Sequence, residues 1–185
     1  KRLLAYSSIA QAGYALIGVV AASEAGVAAV LLHLAAYALA NVGAFAVVIA
    51  VSEQGGSDDI EEYAGLSRRA PLLALALLLC LLSLGGIPPL AGFTGKLYLS
   101  YAAIGEGLPG LAVVGVINST ISLACYWRVI RAMYITSPRE TGAFPVTVTL
   151  AVSLGLAIIG LFALGLCPTP LLGLLQSGAA VFFGG

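Results

Sequence analysis

The sequence predicts an all-α, polytopic transmembrane helix bundle of about five spans, one of them a discontinuous helix. Three observations carry this reading. Of the 185 residues, 61% are apolar and only 9% charged, against about 25% charged in soluble domains, and the mean hydropathy is +1.07. The apolar residues fall in long runs separated by short polar segments. One of those runs is broken internally by "GGIPP". A leucine-rich soluble helical protein of this makeup would lack the polar surface to cover itself.

A hydrocarbon core about 30 Å thick needs about 20 apolar residues of helix. The first span, 3–22, ends before "SEAG", and the second, 26–51, ends at "SEQGG". A polar loop follows, "SEQGGSDDIEEYAGLSRR", holding five of the eight acids. The fourth span, 109–134, ends at "ITSPRETGAF", and the fifth covers 145–166. Residues 1–166 are therefore expected to form the membrane helices, and 167–185 an apolar C-terminal tail. That tail has two readings, an interfacial segment or a short extra span.

The third run, 71–104, is too long for one simple crossing. Proline inside a helix removes a hydrogen bond and clashes with the preceding turn, and glycine adds a further penalty. Gly85, Gly86, Pro88 and Pro89 should therefore break this helix near mid-membrane. Backbone groups freed there are tolerated only where protein or internal water satisfies them. The break must face the interior, either within one interrupted crossing or between two short re-entrant helices.

Counting five crossings puts Lys1, Arg2, Arg68, Arg69, Arg128, Arg131 and Arg139 on one side. The opposite loops carry Glu24 and Glu106 and no Lys or Arg. By the positive-inside rule the basic loops are cytoplasmic. Net charge is zero, so nothing indicates a nucleic-acid partner. Cys80, Cys125 and Cys167 have neither metal-ligand nor redox spacing and read as small apolar residues. The opening "KRLLAYSS" has no initiator Met and no signal-peptide pattern. The expectation is the C-terminal part of a longer protein.

Lys96 is the leading candidate for chemistry. It lies seven residues past Pro89, far from either flanking loop. A lysine at the centre of a membrane helix costs about 2.5–3.5 kcal/mol on insertion scales. Removing an ammonium from water disfavours its charged form, so a neighbouring charge that comes and goes can make such a group take up and release a proton. A broken helix assists by presenting partial charges and unpaired carbonyls. The bland alternative is a lysine snorkelling to a headgroup.

Polar residues recur at helical spacing on three other spans. His33, Tyr37 and Asn41 lie at i, i+4, i+8, a possible relay or simply interhelical glue. Ser7, Gln11 and Tyr14 share one face of the first span, and Asn118, Ser122 and Tyr126 one face of the fourth. Ser100 stands one turn beyond Lys96. Together these faces form a supporting polar path able to hold water. No acid lies deep in any span. One histidine cannot build a zinc site with these cysteines, and no phosphate-cradling loop is present.

The stretches "KRLLAYSSIAQAGYALIG", "GLSRRAPLLALALLLCLLSLGGIPPLAGFTGKLYL" and "NSTISLACYWRVIRAMY" resemble the antiporter-like membrane subunits of respiratory complex I, and among them the N type of NADH:quinone oxidoreductase. The "GIPPLAGFxGK" stretch marks the wider family and "YWRVIRAMY" the N type. The resemblance implies the second of two inverted repeats, each with a discontinuous helix. It implies Lys96 on a proton path toward the periplasm in a multi-pass protein of the bacterial inner membrane. It also implies proton translocation driven by quinone reduction elsewhere, with other membrane-arm subunits and lipid as partners. No cofactor is expected in this chain; flavin, iron–sulfur clusters and quinone belong to other subunits. Gln11 departs from the family, which often has His in "SSxxHxGY", and glutamine cannot titrate. Tyr37 stands where another antiporter-like subunit has His. The alternatives are a subunit of a multi-subunit sodium/proton antiporter, a membrane-arm subunit of a related hydrogenase, and a membrane scaffold that moves nothing.

Overall fold

A computed structural model describes residues 1–55, 59–137 and 146–183. Among these, every regular element is helical. In chain order they are α1 (Arg2–Val20), α2 (Glu24–Gly55), a 3₁₀ turn (Ile60–Tyr63), α3 (Leu66–Arg69), α4 (Pro71–Gly85), α5 (Ala91–Gly105), α6 (Pro109–Tyr134), α7 (Val148–Leu166) and α8 (Thr169–Phe183). Four helices, α1, α2, α6 and α7, are long and apolar enough to cross a membrane. Two start on the residue type their first turn favours: Pro71 and Pro109 sit where the missing N–H is no loss. Thr147 caps α7 by accepting from the Leu150 N–H at 3.4 Å. The Ser23 hydroxyl accepts from the Gly26 N–H at 3.2 Å at the start of α2.

The element limits differ from the expected spans in physically clear ways. The second helix runs four residues past 51, because Ser52 to Gly55 continue the helix as it leaves the apolar zone. The fifth starts at Val148 rather than 145, since its cap is Thr147; residue 145 and Arg139 lie outside the described residues. The tail is a helix of its own, α8, set off from α7 at Cys167 and Pro168 and packed against α2. Its 15 residues span about 22 Å, short of the hydrocarbon thickness.

The long helix α2 is the central post, in contact with α1, α4, α5, α7 and α8. Its inner face is small, with Ala29, Ala36, Ala40 and Ala44 all buried. Small residues let helix backbones approach closely in a membrane, where packing rather than water exclusion drives association. Around them pack Leu73, Leu77 and Leu81 of α4, Met133 of α6 and Leu161 of α7. The outward faces stay apolar and exposed, as at Ile9, Leu16, Val113, Ile117, Leu156 and Ile159. So large an apolar surface suits lipid or neighbouring helices, not water.

Two hydrogen bonds settle the topology. Lys1 Nζ donates to Ser52 Oγ at 3.3 Å, so the start of α1 meets the end of α2. The Gly65 N–H donates to the Ala132 carbonyl at 3.1 Å, so the start of the α3–α4 segment meets the end of α6. Lys1, Arg2, Arg68, Arg69, Arg128 and Arg131 therefore gather at one end of the bundle. Because α6 is one unbroken helix, its start lies at the other end, beside Glu106. The segment α4–α5 thus makes one net crossing rather than two re-entrant excursions.

Candidate functional site

The site begins with how α4 ends. Gly86 adopts φ +82°, a left-handed conformation that glycine reaches at no steric penalty. Its N–H donates to the Ser83 carbonyl at 2.9 Å, and the Ile87 N–H to the Leu82 carbonyl at 3.0 Å. This paired closure is the Schellman ending of a helix. It satisfies the carbonyls of Leu82 and Ser83 and leaves that of Leu84 without a backbone partner. In a membrane interior such a group must find a side chain or water.

Two side chains find it. Lys96 Nζ donates to the Leu84 carbonyl at 2.8 Å and Gln11 Nε2 donates to the same oxygen at 3.1 Å. An ammonium has three protons to place. Besides Leu84, Lys96 donates to Ser119 Oγ at 2.9 Å, and its nitrogen stands 4.3 Å from the centre of the Tyr14 ring. The aromatic face supplies the remaining acceptor. Lys96 is thus buried, only 9% exposed, and fully solvated by neutral groups. Among the described residues no carboxylate pairs with it.

The break also positions α5. The Gly92 N–H donates to Ser83 Oγ at 3.1 Å. A Cβ at Gly92 would overlap the Ser83 carbonyl oxygen, so only glycine admits this approach. One turn later Gly95 lies against His33, which draws α5 onto α2. Thr94 Oγ1 donates to the Gly165 carbonyl at 3.0 Å, tying the end of α7 over the break.

Tyr14 is the hub. Its hydroxyl donates to the Gly115 carbonyl at 2.8 Å and lies 2.9 Å from Ser119 Oγ. Its ring centre is 5.8 Å from that of His33, with the planes at 55°. The ring thus neighbours both the Lys96 ammonium and a buried imidazole. Neither nitrogen of His33 has a hydrogen-bond partner among the described residues. Beside Lys96, a cavity of about 360 Å³ is lined by Gly86, Lys96, Ser100, Ser119 and Thr120. A second cavity of about 450 Å³ begins on the far side of Tyr14 and Gly115 and reaches Asn118, Ile17 and Leu111.

The polar faces read from spacing are sorted by this geometry. Gln11, Tyr14, His33 and Lys96 come together, with Gly85 and Gly86 beside them. Tyr37 donates to Ser8 Oγ at 2.7 Å and lines a small pocket with Gln11, His33 and Ser83. Asn41 is half-buried and makes no hydrogen bond among the described residues. Ser7 bonds the Tyr126 hydroxyl, and Ser122 lines a third cavity with them. Ser100 does not reach the ammonium: its Oγ donates to the Lys96 carbonyl at 2.9 Å. Pro88 and Pro89, joined by a cis peptide bond, form the turn between α4 and α5. Spacing missed Ser119, which receives Lys96, and Ser83, which caps α5. Ser119 lies at i, i+3, i+7 with Ser122 and Tyr126, a register as helical as the one starting from Asn118.

Apolar helices around a helix break and a buried lysine define a multi-pass membrane protein. The chain belongs to the NADH:quinone oxidoreductase/Mrp antiporter transmembrane family, whose model matches residues 1–122. It is 46% identical over 185 residues to NADH-quinone oxidoreductase subunit N of Moorella thermoacetica, covering 99% of this chain and 39% of that protein. It is 54% identical over 140 residues to NAD(P)H-quinone oxidoreductase subunit 2 of Picosynechococcus sp., covering 76% of this chain and 27% of that protein. The chain therefore spans well under half the length of these relatives. A chain of respiratory complex I from Thermus thermophilus superposes with a TM-score of 0.79 at 36% identity, over 95% of this chain and 40% of that one. The fold is also that of a chain of the Mrp complex from Dietzia sp., with a TM-score of 0.88 at 24% identity over 98% of this chain and 42% of that one.

Proposed function

We propose that this chain is the proton-moving C-terminal part of a membrane-arm subunit of NADH:quinone oxidoreductase, with Lys96 as its titrating group. The observation that supports it best is the solvation of the Lys96 ammonium by the freed Leu84 carbonyl, Ser119 and the Tyr14 ring, with no carboxylate beside it among the described residues. Neutral acceptors stabilise the ammonium without locking its proton in an ion pair. A positive charge approaching in a neighbouring subunit then drives a proton off, and its departure lets one return.

The hydroxyls support a direction for the released proton. Ser119 accepts from Lys96, lies within hydrogen-bond distance of Tyr14, and Tyr14 leads to Asn118 and the cavity toward the end opposite the basic cluster. The basic cluster fits the cytoplasmic face of a bacterial inner membrane. Redox chemistry, and the flavin, iron–sulfur and quinone groups it needs, falls to other subunits, which together with lipid are the partners of this chain.

The test is proton pumping per electron in the reconstituted, assembled complex, comparing parent, Lys96→Met and Lys96→Arg. Loss of pumping in Met, unrestored by Arg, supports a titrating lysine. Normal pumping by Lys96→Met in a fully assembled complex returns the chain to a scaffold role. The likeness to the Mrp complex keeps a sodium/proton antiporter subunit as the second reading, decided by whether the purified chain carries flavin and iron–sulfur subunits with it.

A further inference from the structure

A third cavity, of about 360 Å³, lies between α1 and α6 toward the basic end. Its walls are Leu3, Tyr6 and Ala10 of α1 and Ile121, Cys125 and Arg128 of α6. Steps of three and four residues put each trio on one helix face. The floor is closed, because Ser7 and Tyr126 bond each other there and Tyr126 also bonds the Gln11 side chain. These polar groups are satisfied inside the protein. The walls above them are apolar and open, with Tyr6 73% and Ile121 59% exposed. Ser122 and Cys125 are the remaining side chains of the lining with polarity to spare.

The charge sits at one end of the groove. The 26 residues of α6 run about 39 Å, some 9 Å more than the hydrocarbon core. Arg128, six residues before the end of α6, therefore stands near the edge of the hydrocarbon, within snorkelling reach of the headgroups. Its guanidinium is exposed and makes no hydrogen bond or ion pair among the described residues, and the same holds for Arg2 at this end. Ile60 borders the mouth, and Asp59 and Glu61 on either side of it are already engaged within the protein. A planar fork of donors facing an apolar groove matches a phosphodiester that carries a hydrocarbon chain.

From this geometry we infer that the α1–α6 cavity holds one acyl chain of an anionic phospholipid of the basic-face leaflet, its phosphodiester seated on Arg128. One turn of a packed helix, about 10 Å across and 5.4 Å tall, fills about 420 Å³, more than the whole cavity; a single chain of methylenes is thin enough to enter. The depth also fits. Arg128 to Ile121 is about 10 Å of helix, within the roughly 15 Å that half of the hydrocarbon core gives one leaflet. The chain ends at Ile121, the residue this cavity shares with the one at Asn118, and leaves that second cavity free. The assignment does not depend on whether Lys96 moves protons.

Photo-crosslinking tests it. The assembled complex is placed in phosphatidylcholine vesicles with a trace of phosphatidylglycerol or phosphatidylcholine bearing the same diazirine at the end of one acyl chain. Adducts on this chain are mapped by mass spectrometry. Around Ala10 and Ile121, phosphatidylglycerol is expected to give about fivefold more adduct than phosphatidylcholine, the preference one arginine confers near the headgroups. On the outward face of α7, at Leu156 and Ile159, the two lipids should mark alike. Arg128→Gln is expected to bring the ratio at Ile121 to about one. Ala10→Leu, which fills the cavity, should lower the adducts at Ile121 and leave those on α7 unchanged. Equal marking at Ile121 by both lipids in the parent means ordinary surrounding lipid and overturns the inference. So does a preference that Arg128→Gln does not move, or marking at Ile121 that Ala10→Leu leaves in place. Marking of α7 with none at Ile121 means that another protein segment fills the groove, and overturns it too. None of these results touches the pumping test of Lys96→Met, so the two proposals fall separately.

Discussion

Replacing Ser119 by Ala removes one of the groups that solvate Lys96 and leaves the cavity beside it larger. The lost contact is a 2.9 Å hydrogen bond from an ammonium, and bonds to charged groups contribute about 1.5–3 kcal/mol. At 1.4 kcal/mol per factor of ten, a proton step that relies on it slows by about 10- to 100-fold. Two features decide where in that range the effect falls. Ser119 is half-buried, and the cavity of about 360 Å³ at its side is large enough to hold a water. A water can replace the hydroxyl at small entropic loss, which favours the lower end, about tenfold. The same water would also have to bond Tyr14, now 2.9 Å from the serine oxygen. The assay is proton pumping per electron in reconstituted complex, with Ser119→Thr as the control that retains the hydroxyl. The expected order is parent and Thr alike, Ala about tenfold slower at the pumping step. An assembled Ser119→Ala complex that pumps at the parent rate refutes the idea that this hydroxyl belongs to the proton path.

Two other perturbations separate packing from chemistry. Gly92→Ala places a Cβ onto the Ser83 carbonyl oxygen, and overpacking of this kind costs about 1–3 kcal/mol; thermal melting of the detergent-purified complex should show a loss of stability, whereas Ala at Gly105, where nothing lies within 4 Å of the added atom, should not. Tyr14→Phe keeps the ring face under Lys96 but loses the hydroxyl bonds to Gly115 and Ser119. It should impair pumping less than Tyr14→Leu, which also removes a cation–π contact of about 2 kcal/mol when desolvated; equal effects of Phe and Leu would show that the ring face contributes nothing.

The membrane character, the number of long spans and the position of the break were legible in the sequence for physical reasons. Hydrocarbon thickness sets span length, and a Gly-Gly-Ile-Pro-Pro cluster inside an apolar run breaks the helix there. Lys96 was legible because an ammonium inside an apolar run carries an energetic penalty that demands an explanation. Its solvation was not. The Leu84 carbonyl is a backbone atom of an ordinary leucine, and only the Schellman closure at Gly86 leaves it free. Nor could periodicity choose between Asn118 and Ser119, neighbours on α6 that line different cavities. Likewise, His33, Tyr37 and Asn41 share one stripe by spacing, but only His33 and Tyr37 line the small pocket beside Gln11, where α5 approaches at Gly95 and α1 at Ser8. Local chemistry determines which groups are costly to bury and where a helix must stop. Which groups meet across 73 residues, as Gln11 and Leu84 do, depends on how the helices pack, and that is settled by the small faces of α2 and the glycines that let α5 come close.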